Sequence, residues 1–280
     1  MTTHTDEILV LGATGKVGRR LVRTLRAAGR PVRAASRTGT VRFDWTDRST
    51  WRTALDGASA VHLLAPVDPA LASPFVEQAA EAGVCRFVAL SARGIDRMRP
   101  PYFQGMAAAE QAVRESGARW TILRPNNFHQ NFDEDVWRAP LRSGHLALPL
   151  GAVPEPFVDV QDIADVAAAA LTSDGHHGRV YELSGPRGLT FEEAVATIAE
   201  AAGRPIRYTE VTPEEYRAGL LASGASEEAA DELNAMFAAM RAGHFAEPGT
   251  GVREVLGRAP VDFATYAARA AAAGAWDQPH

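Results

Sequence analysis

Gly12, Gly15 and Gly18 stand three residues apart, directly after a short apolar run at 8–11. Val17, Leu21, Val22 and Leu25 then recur at helical spacing. A strand that bends straight into a helix through such a segment brings backbone N–H groups against a phosphate, where a β-carbon would block the approach. The third glycine lets the helix pack closely on its strand. Thr14, Lys16 and Val17 complete the turn and lie within reach of the same ligand. A plain strand–helix turn is the alternative, and its place at the head of a strand–helix unit favours the phosphate-binding reading. A P-loop would need glycine at 10 and a hydroxyl residue at 17, and valine occupies both positions.

The tip of the second apolar segment, 31–36, selects the nucleotide. An acid there would accept a hydrogen bond from a ribose 2′-hydroxyl. This chain has Ser36 and Arg37, a hydroxyl and a guanidinium that suit a 2′-phosphate, with Lys16 and Arg19 near the same pocket. The expected cofactor is therefore NADP(H); the other reading of Arg37 is a solvated loop arginine. Asp44, ending a third strand, either reaches the adenine amino group or sits in a helix-capping turn.

The elements that position these residues follow from periodicity. Strands are expected at 8–11, 31–36, 40–43, 60–64, 86–90 and 120–123, as near-continuous apolar runs. Helical patterns lie between them, including one at 75–82 and one at 103–116. Strand–helix alternation with short connections means an α/β fold, a doubly wound, Rossmann-like parallel sheet with a smaller C-terminal α/β lobe. The division expected is 1–150 for nucleotide binding and 151–280 for a smaller lobe, interleaved with the first, that covers the substrate. That lobe holds a helix at 163–171, a strand at 180–183, and helices at 191–202, 213–222 and 227–242. The last of these packs on the lobe or contacts a second copy as a homodimer; both stay open. A ligand of such a sheet lies across the strands' carboxyl ends, so Ala65, Pro66, Ser91, Pro125 and Asn126 are expected along the nicotinamide half.

Bulk properties narrow the function. The 280 residues are 46% hydrophobic and 22% charged, with net charge −5, which argues against a nucleic-acid partner. Residues 1–150 carry 20 basic and 14 acidic side chains, whereas 151–280 carry 9 and 20. A basic first half suits an anionic ligand. No apolar run approaches the roughly 18–20 residues that span a bilayer. A single cysteine, Cys85, and a polar N-terminal stretch point to a reducing, cytoplasmic setting. His176 and His177 look like a turn with no third ligand at metal spacing, so no metal is expected. The G-x-S-x-G of an α/β-hydrolase is missing.

Several stretches together resemble the NmrA-like branch of the atypical short-chain dehydrogenases. They are the turn at 12–18, the arginine-ended second strand, Leu123-Arg124-Pro125-Asn126-Asn127-Phe128, the segment Phe157 to Ala164, and Gly257 to Phe263. The resemblance covers nearly the whole chain. It implies NADP(H), and a substrate pocket between the carboxyl edge of the sheet and the smaller lobe. The branch contains triphenylmethane, quinone and imine reductases and also non-catalytic NADP sensors.

Ordinary short-chain dehydrogenases pair a tyrosine with a lysine four residues on. Here Tyr102 is followed by Met106, and Lys16 is the sole lysine of the chain. Three readings remain. Hydride passes to an acceptor already poor in electrons, such as a quinone, imine, iminium or cationic dye. Or another acid serves, with Tyr102 ahead of His129 and Tyr208. Or the protein senses NADP(H) for a protein partner without turnover. Phe103, Met106, Asn127, Phe128, Trp137 and Phe157 would form an aromatic-rich pocket for a small planar substrate, which favours the enzyme.

Overall fold

The computed structural model describes residues 6–97 and 103–278. In chain order the elements are β1 (Glu7–Leu11), α1 (Lys16–Ala27), β2 (Val32–Ser36), β3 (Val41–Arg42), α2 (Ser49–Leu55), β4 (Ala58–Leu64), α3 (Ala72–Glu81) and β5 (Arg86–Leu90). Then come α4 (Gln104–Glu115), β6 (Arg119–Pro125), α5 (Arg138–Ser143), β7 (His145–Leu148), α6 (Val160–Thr172), β8 (Arg179–Leu183) and α7 (Phe191–Ala202). The chain closes with β9 (Arg207–Glu210), α8 (Pro213–Ala222), α9 (Glu227–Arg241), α10 (Gly251–Leu256) and α11 (Phe263–Ala272).

The chain forms two compact units. The first takes the stretch up to Pro125, then Val160–Leu183 and Thr250–Arg258; the second takes Asn126–Asp159, Ser184–Gly249 and Ala259–His280. Position 150 falls inside the second unit, because α6, β8 and α10 return to the first one. Periodicity marks an element without saying which unit it joins.

The first unit is a seven-stranded sheet in the order β3-β2-β1-β4-β5-β6-β8, every neighbouring pair parallel. This is a Rossmann-like α/β fold. Order reverses between β1 and β4, the place where such sheets open a crevice for ligands. On one face Leu9, Leu11, Val61, Leu63, Phe87 and Ala89 pack with Trp51, Phe75 and Val113 of α2, α3 and α4. Phe43, Trp45, Trp51 and Phe75 meet there edge to face, with centroids 5.0–5.8 Å apart. Alternate residues, including Val10 and His62, turn to the other face, which α1 and α6 cover.

Two features of this unit bear on the site. Gly12 sits at φ +65°, where a side chain is strained. A β-carbon on Gly18 would lie 2.2 Å from the carbonyl oxygen of Gly12, so α1 packs on the turn backbone against backbone. The second feature is His62, an imidazole 1% exposed in the middle of β4. Neither ring nitrogen has a well-formed hydrogen bond. Burial pushes its pKa down to about 4, and the Leu11 backbone opposes this only in part.

The second unit holds a parallel pair, β7 with β9, and helices α5, α7, α8, α9 and α11. The strands escaped periodicity because each has four residues and β9 is mostly exposed. Thr190 with Glu193 and Thr212 with Glu215 form reciprocal capping boxes, so acids at these helix starts are structural. Phe132, Trp137, Phe157, Phe191 and Phe263 interlock as its aromatic core.

Replacing Gly18 with alanine should lower stability by roughly 1–3 kcal/mol; an unchanged urea midpoint would contradict the close approach. For His62 the folded pKa of about 4 lies below the ordinary 6.5, so the unfolded chain binds more protons between those values. Stability is full above pH 6.5 and falls by about 3 kcal/mol as pH drops to 4. His62→Leu should flatten that slope in urea titrations at stepped pH.

Candidate cofactor and active site

The turn after β1 presents backbone rather than side chains. The Gly12 carbonyl accepts from the Gly15 N–H at 2.9 Å, and the Ala13 N–H donates to Ala35 at 3.0 Å, which ties the turn to β2. Gly15, the residue before α1, is extended and offers no side-chain cap, so the N-cap provides no acceptor for the first-turn N–H groups. Thr14 and Gly15 are exposed, Lys16 is half-buried, and Val17 is buried in the core, leaving only its backbone for a ligand. A β-carbon at 15 would meet the Gly12 oxygen at 3.2 Å, much looser than at 18. The glycine at 15 thus leaves room on the outer side, where a pyrophosphate would approach.

At the tip of β2, Arg37 is exposed. Ser36 departs from expectation: it is 7% exposed, and its hydroxyl is enclosed without a hydrogen-bond partner. The loop at Gly39 closes over it, a β-carbon there lying 2.7 Å from the Ser36 oxygen. Of the two side chains, the Arg37 guanidinium is the exposed one and the Ser36 hydroxyl is not. Asp44 accepts from the Thr46 N–H at 3.0 Å and the Thr46 hydroxyl at 2.8 Å. These bonds, foremost the Thr46 backbone one, hold its carboxyl below the usual range. Asp44 organises the turn ahead of α2 without capping the helix itself, whose cap position is Arg48.

The carboxyl ends of β4, β5 and β6 bring Ala65, Pro66, Ser91 and Pro125 to one edge of the first unit. The start of α4 lies hard against this edge: a β-carbon on Gly105 would fall 1.8 Å from the Pro66 carbonyl oxygen. That contact brings Phe103 and Met106 beside the β4 loop. Both are half-buried, and Phe103 holds a left-handed backbone, φ 56°. Tyr102 lies outside the described residues.

Glu110 and Arg124 carry a role that sequence reasoning missed. Glu110, 6% exposed on α4, receives a forked pair from Arg124 on β6, both bonds 2.8 Å. The Ser91 hydroxyl donates to the same carboxylate at 2.6 Å, and Arg114 adds a bond at 3.3 Å. Burial alone would raise the Glu110 pKa, yet Arg124, Ser91 and Arg114 bring it below the usual value. The available signal was a charge inside an apolar strand matched by one on the apolar face of a helix.

In the second unit the residues expected to touch ligand are used internally. Asn126, 5% exposed, donates from its amide to buried Glu155 at 2.8 Å and to the Phe245 carbonyl at 3.2 Å. Asn127 donates its N–H to Glu155 at 3.2 Å, and its amide reaches the Met240 sulfur at 3.6 Å. Phe128 pairs as a short bridge with Val158. His129 is fully buried between Tyr266 and Phe263, with Asp159 3.8 Å away, so it is a packed core imidazole and not an accessible acid. Trp137 and Phe157, 4% and 2% exposed, belong to the aromatic core rather than to a substrate wall. The Tyr208 hydroxyl donates to Leu148 at 3.3 Å, and burial, foremost, pushes its pKa up to about 12, which makes it a weaker proton donor than an ordinary tyrosine.

The remaining motif residues are structural as well. Arg258 pairs with buried Asp162 at 2.6 Å, Arg269 pairs with Asp159 at 2.5 Å, and Asp262 caps α11. A cavity of about 380 Å³ opens at the amino ends of β5 and β6, lined by Arg86, Arg119, Asp174 and His176. Arg86 is spent there on carbonyls at the end of α6 and on Asp174, which Arg119 shares. That edge is opposite to the one where α/β sheets bind their ligands. Among the described residues no cluster of His, Cys, Asp or Glu could hold a metal ion, and no helix is long and apolar enough to cross a membrane.

Known proteins are similar to this chain over most of its length. The NAD(P)H azoreductase of Xenophilus azovorans is 33% identical over 96% of this chain and 99% of its own length. The (4-alkanoyl-5-oxo-2,5-dihydrofuran-3-yl)methyl phosphate reductase of Streptomyces griseus is 38% identical over 77% of this chain and 80% of its own. The structure of Citrobacter sp. triphenylmethane reductase complexed with NADP(H) superposes with a TM-score of 0.77 over 95% of this chain and 99% of that one, at 21% identity, a likeness of fold. A sequence model of NAD(P)H-binding proteins matches residues 12–174, more than half of the chain. With more than half of the chain matched by that model and a relative 33% identical over nearly its whole length, the chain belongs to the NAD(P)H-binding family.

Proposed function

We propose that this oxidoreductase uses NADPH to deliver hydride to a small planar or aromatic, electron-poor acceptor: a quinone, imine, iminium, enone or ketone. The observation that supports it most is the backbone-lined turn at residues 12–18 beside exposed Arg37. The guanidinium would neutralise a 2′-phosphate, which NADH lacks.

The acceptor class follows from what the chain lacks for acid–base work. Met106 stands where a lysine would partner Tyr102, and the chain's sole lysine is Lys16. His129 is buried within its own unit, and the Tyr208 hydroxyl is engaged with the Leu148 carbonyl. When bound, the reduced nicotinamide supplies the hydride, that is, both electrons with one hydrogen. An acceptor with a low-lying empty orbital takes these without prior protonation, and solvent supplies any proton afterwards. The residues' part is then orientation and exclusion of water. Phe103 and Met106, drawn to the β4 loop by the Gly105 contact, are the first-unit side chains suited to lie against a flat acceptor. The relatives named as azoreductase and dihydrofuranyl phosphate reductase are consistent with conjugated acceptors.

Arg37→Asp should weaken NADPH binding by tenfold or more and leave NADH within about threefold, by calorimetry; equal loss for both nucleotides would contradict the 2′-phosphate assignment. Turnover is checked by following the reduced nicotinamide absorbance with NADPH and a panel of quinones, azo dyes, cyclic imines and enones. Oxidation well above the protein-free rate is expected with at least one of them. Tight NADPH binding with no oxidation across the panel would replace the reductase with a nucleotide-sensing protein.

A further inference from the structure

Ser91 closes β5 with its N–H donating to the Leu123 carbonyl at 2.8 Å, which holds its backbone in the β5–β6 ladder. Its side chain has one proton to give, and that proton is directed at Glu110 at 2.6 Å. The acceptor's state follows from its other partners. Arg124 places Nε on one Glu110 oxygen and Nη2 on the other, each at 2.8 Å, and Arg114 adds a third guanidinium hydrogen at 3.3 Å. A carboxyl group with guanidinium donors on both oxygens has no place for a proton of its own. It is an acceptor only, so Ser91 is obliged to donate. Ser91 is 4% exposed, but it stands at the carboxyl end of its strand, and what remains of its hydroxyl is the lone pairs on the side away from Glu110.

Position says what could use them. The sheet order runs β1, β4, β5, so Ser91 stands two strands from the glycine turn, about 10 Å along the edge. A pyrophosphate seated over β1 would bring the nicotinamide riboside half to that distance. That half carries hydrogen-bond donors, its ribose hydroxyls and its carboxamide N–H groups.

We infer that Glu110, clamped by Arg124, is a positioning residue that polarises Ser91 into a hydrogen-bond acceptor for the nicotinamide riboside half, and so removes Ser91 as a proton source. This rests on the NADPH reading above and adds to it. It assigns work to a buried ion pair that otherwise only ties α4 to β6. It also accounts for chemistry directed to acceptors that need no acid here, since the hydroxyl at the end of β5 already directs its hydrogen to a carboxylate.

The test separates the two halves of the cofactor. NADP+ carries the nicotinamide riboside; adenosine 2′,5′-bisphosphate carries the 2′-phosphate end without it. Calorimetry on the full chain should show Ser91→Ala losing about tenfold in NADP+ affinity while adenosine 2′,5′-bisphosphate stays within about twofold. Glu110→Gln should reproduce that split, because an amide facing the Arg124 fork turns its NH2 toward Ser91 and reverses the hydroxyl. The double variant should be no weaker than the poorer single one. Equal losses for both ligands would show a purely structural pair and overturn the inference, as would an unchanged NADP+ affinity in Ser91→Ala. If Glu110→Gln fails to fold, Ser91→Ala, which leaves the ion pair intact, still decides. Wild-type protein that binds neither ligand would instead overturn the cofactor reading itself.

Discussion

At the head of the first unit a helix begins against a carbonyl. The oxygen of Gly12 occupies the space that a side chain on residue 18 would need, so α1 enters with its axis pressed on the end of β1. That approach aims N–H groups that Gly15 gives no side-chain cap past the carboxyl edge, and it places the partial positive charge of the helix start where order reverses in the sheet. The rest of the edge is measured from this contact. Arg37 is one strand to one side; Ala65 and Ser91 are one and two strands to the other. A parallel sheet fixes these steps because its ladder spacing is rigid, and loops then hang from fixed points.

Charges inside the apolar layers are few, and each has a reason to persist. Glu110 and Arg124 are taken from water together, and the fork geometry with Ser91 satisfies both carboxylate oxygens. Asp162, fully buried on α6, meets Arg258, so two motif stretches far apart in the chain are partners in space. Such pairs are weak contributors to stability, since desolvation offsets much of their attraction, but leaving one partner alone would be costly. They act as registers. Arg124 fits one helix position, and that position carries α4 to the edge where Gly105 meets Pro66. His62 differs, as an imidazole kept neutral by burial with little to compensate it.

The second unit shows how polar residues that look ligand-bound can be structural. Asn126 and Asn127 follow β6 directly, where α/β proteins often place binding groups, yet Glu155 gathers both. Glu155 itself is pinned by a bridge to Leu189. His129 is flanked by aromatic rings in the same manner as Trp137 and Phe157. The unit's interior is built from the residue types that usually line pockets, and burial is what distinguishes the two uses.

The strand–helix alternation, the parallel sheet, the tight glycine turn after β1 and the exposed arginine after β2 were all legible from order along the chain, because each depends on neighbours within a few residues. Apolar periodicity identifies a strand, and a glycine at the junction identifies the turn. Division into units, the enclosed Ser36 hydroxyl, the inward Asn126, and the charged cluster of Ser91, Glu110 and Arg124 were decided by folding alone. Glu110 lies 14 residues from Arg124 and 19 from Ser91, while Asn126 lies 29 from Glu155. A single sequence carries no term that couples such positions; only packing into three dimensions removes the water between them and makes each the other's partner.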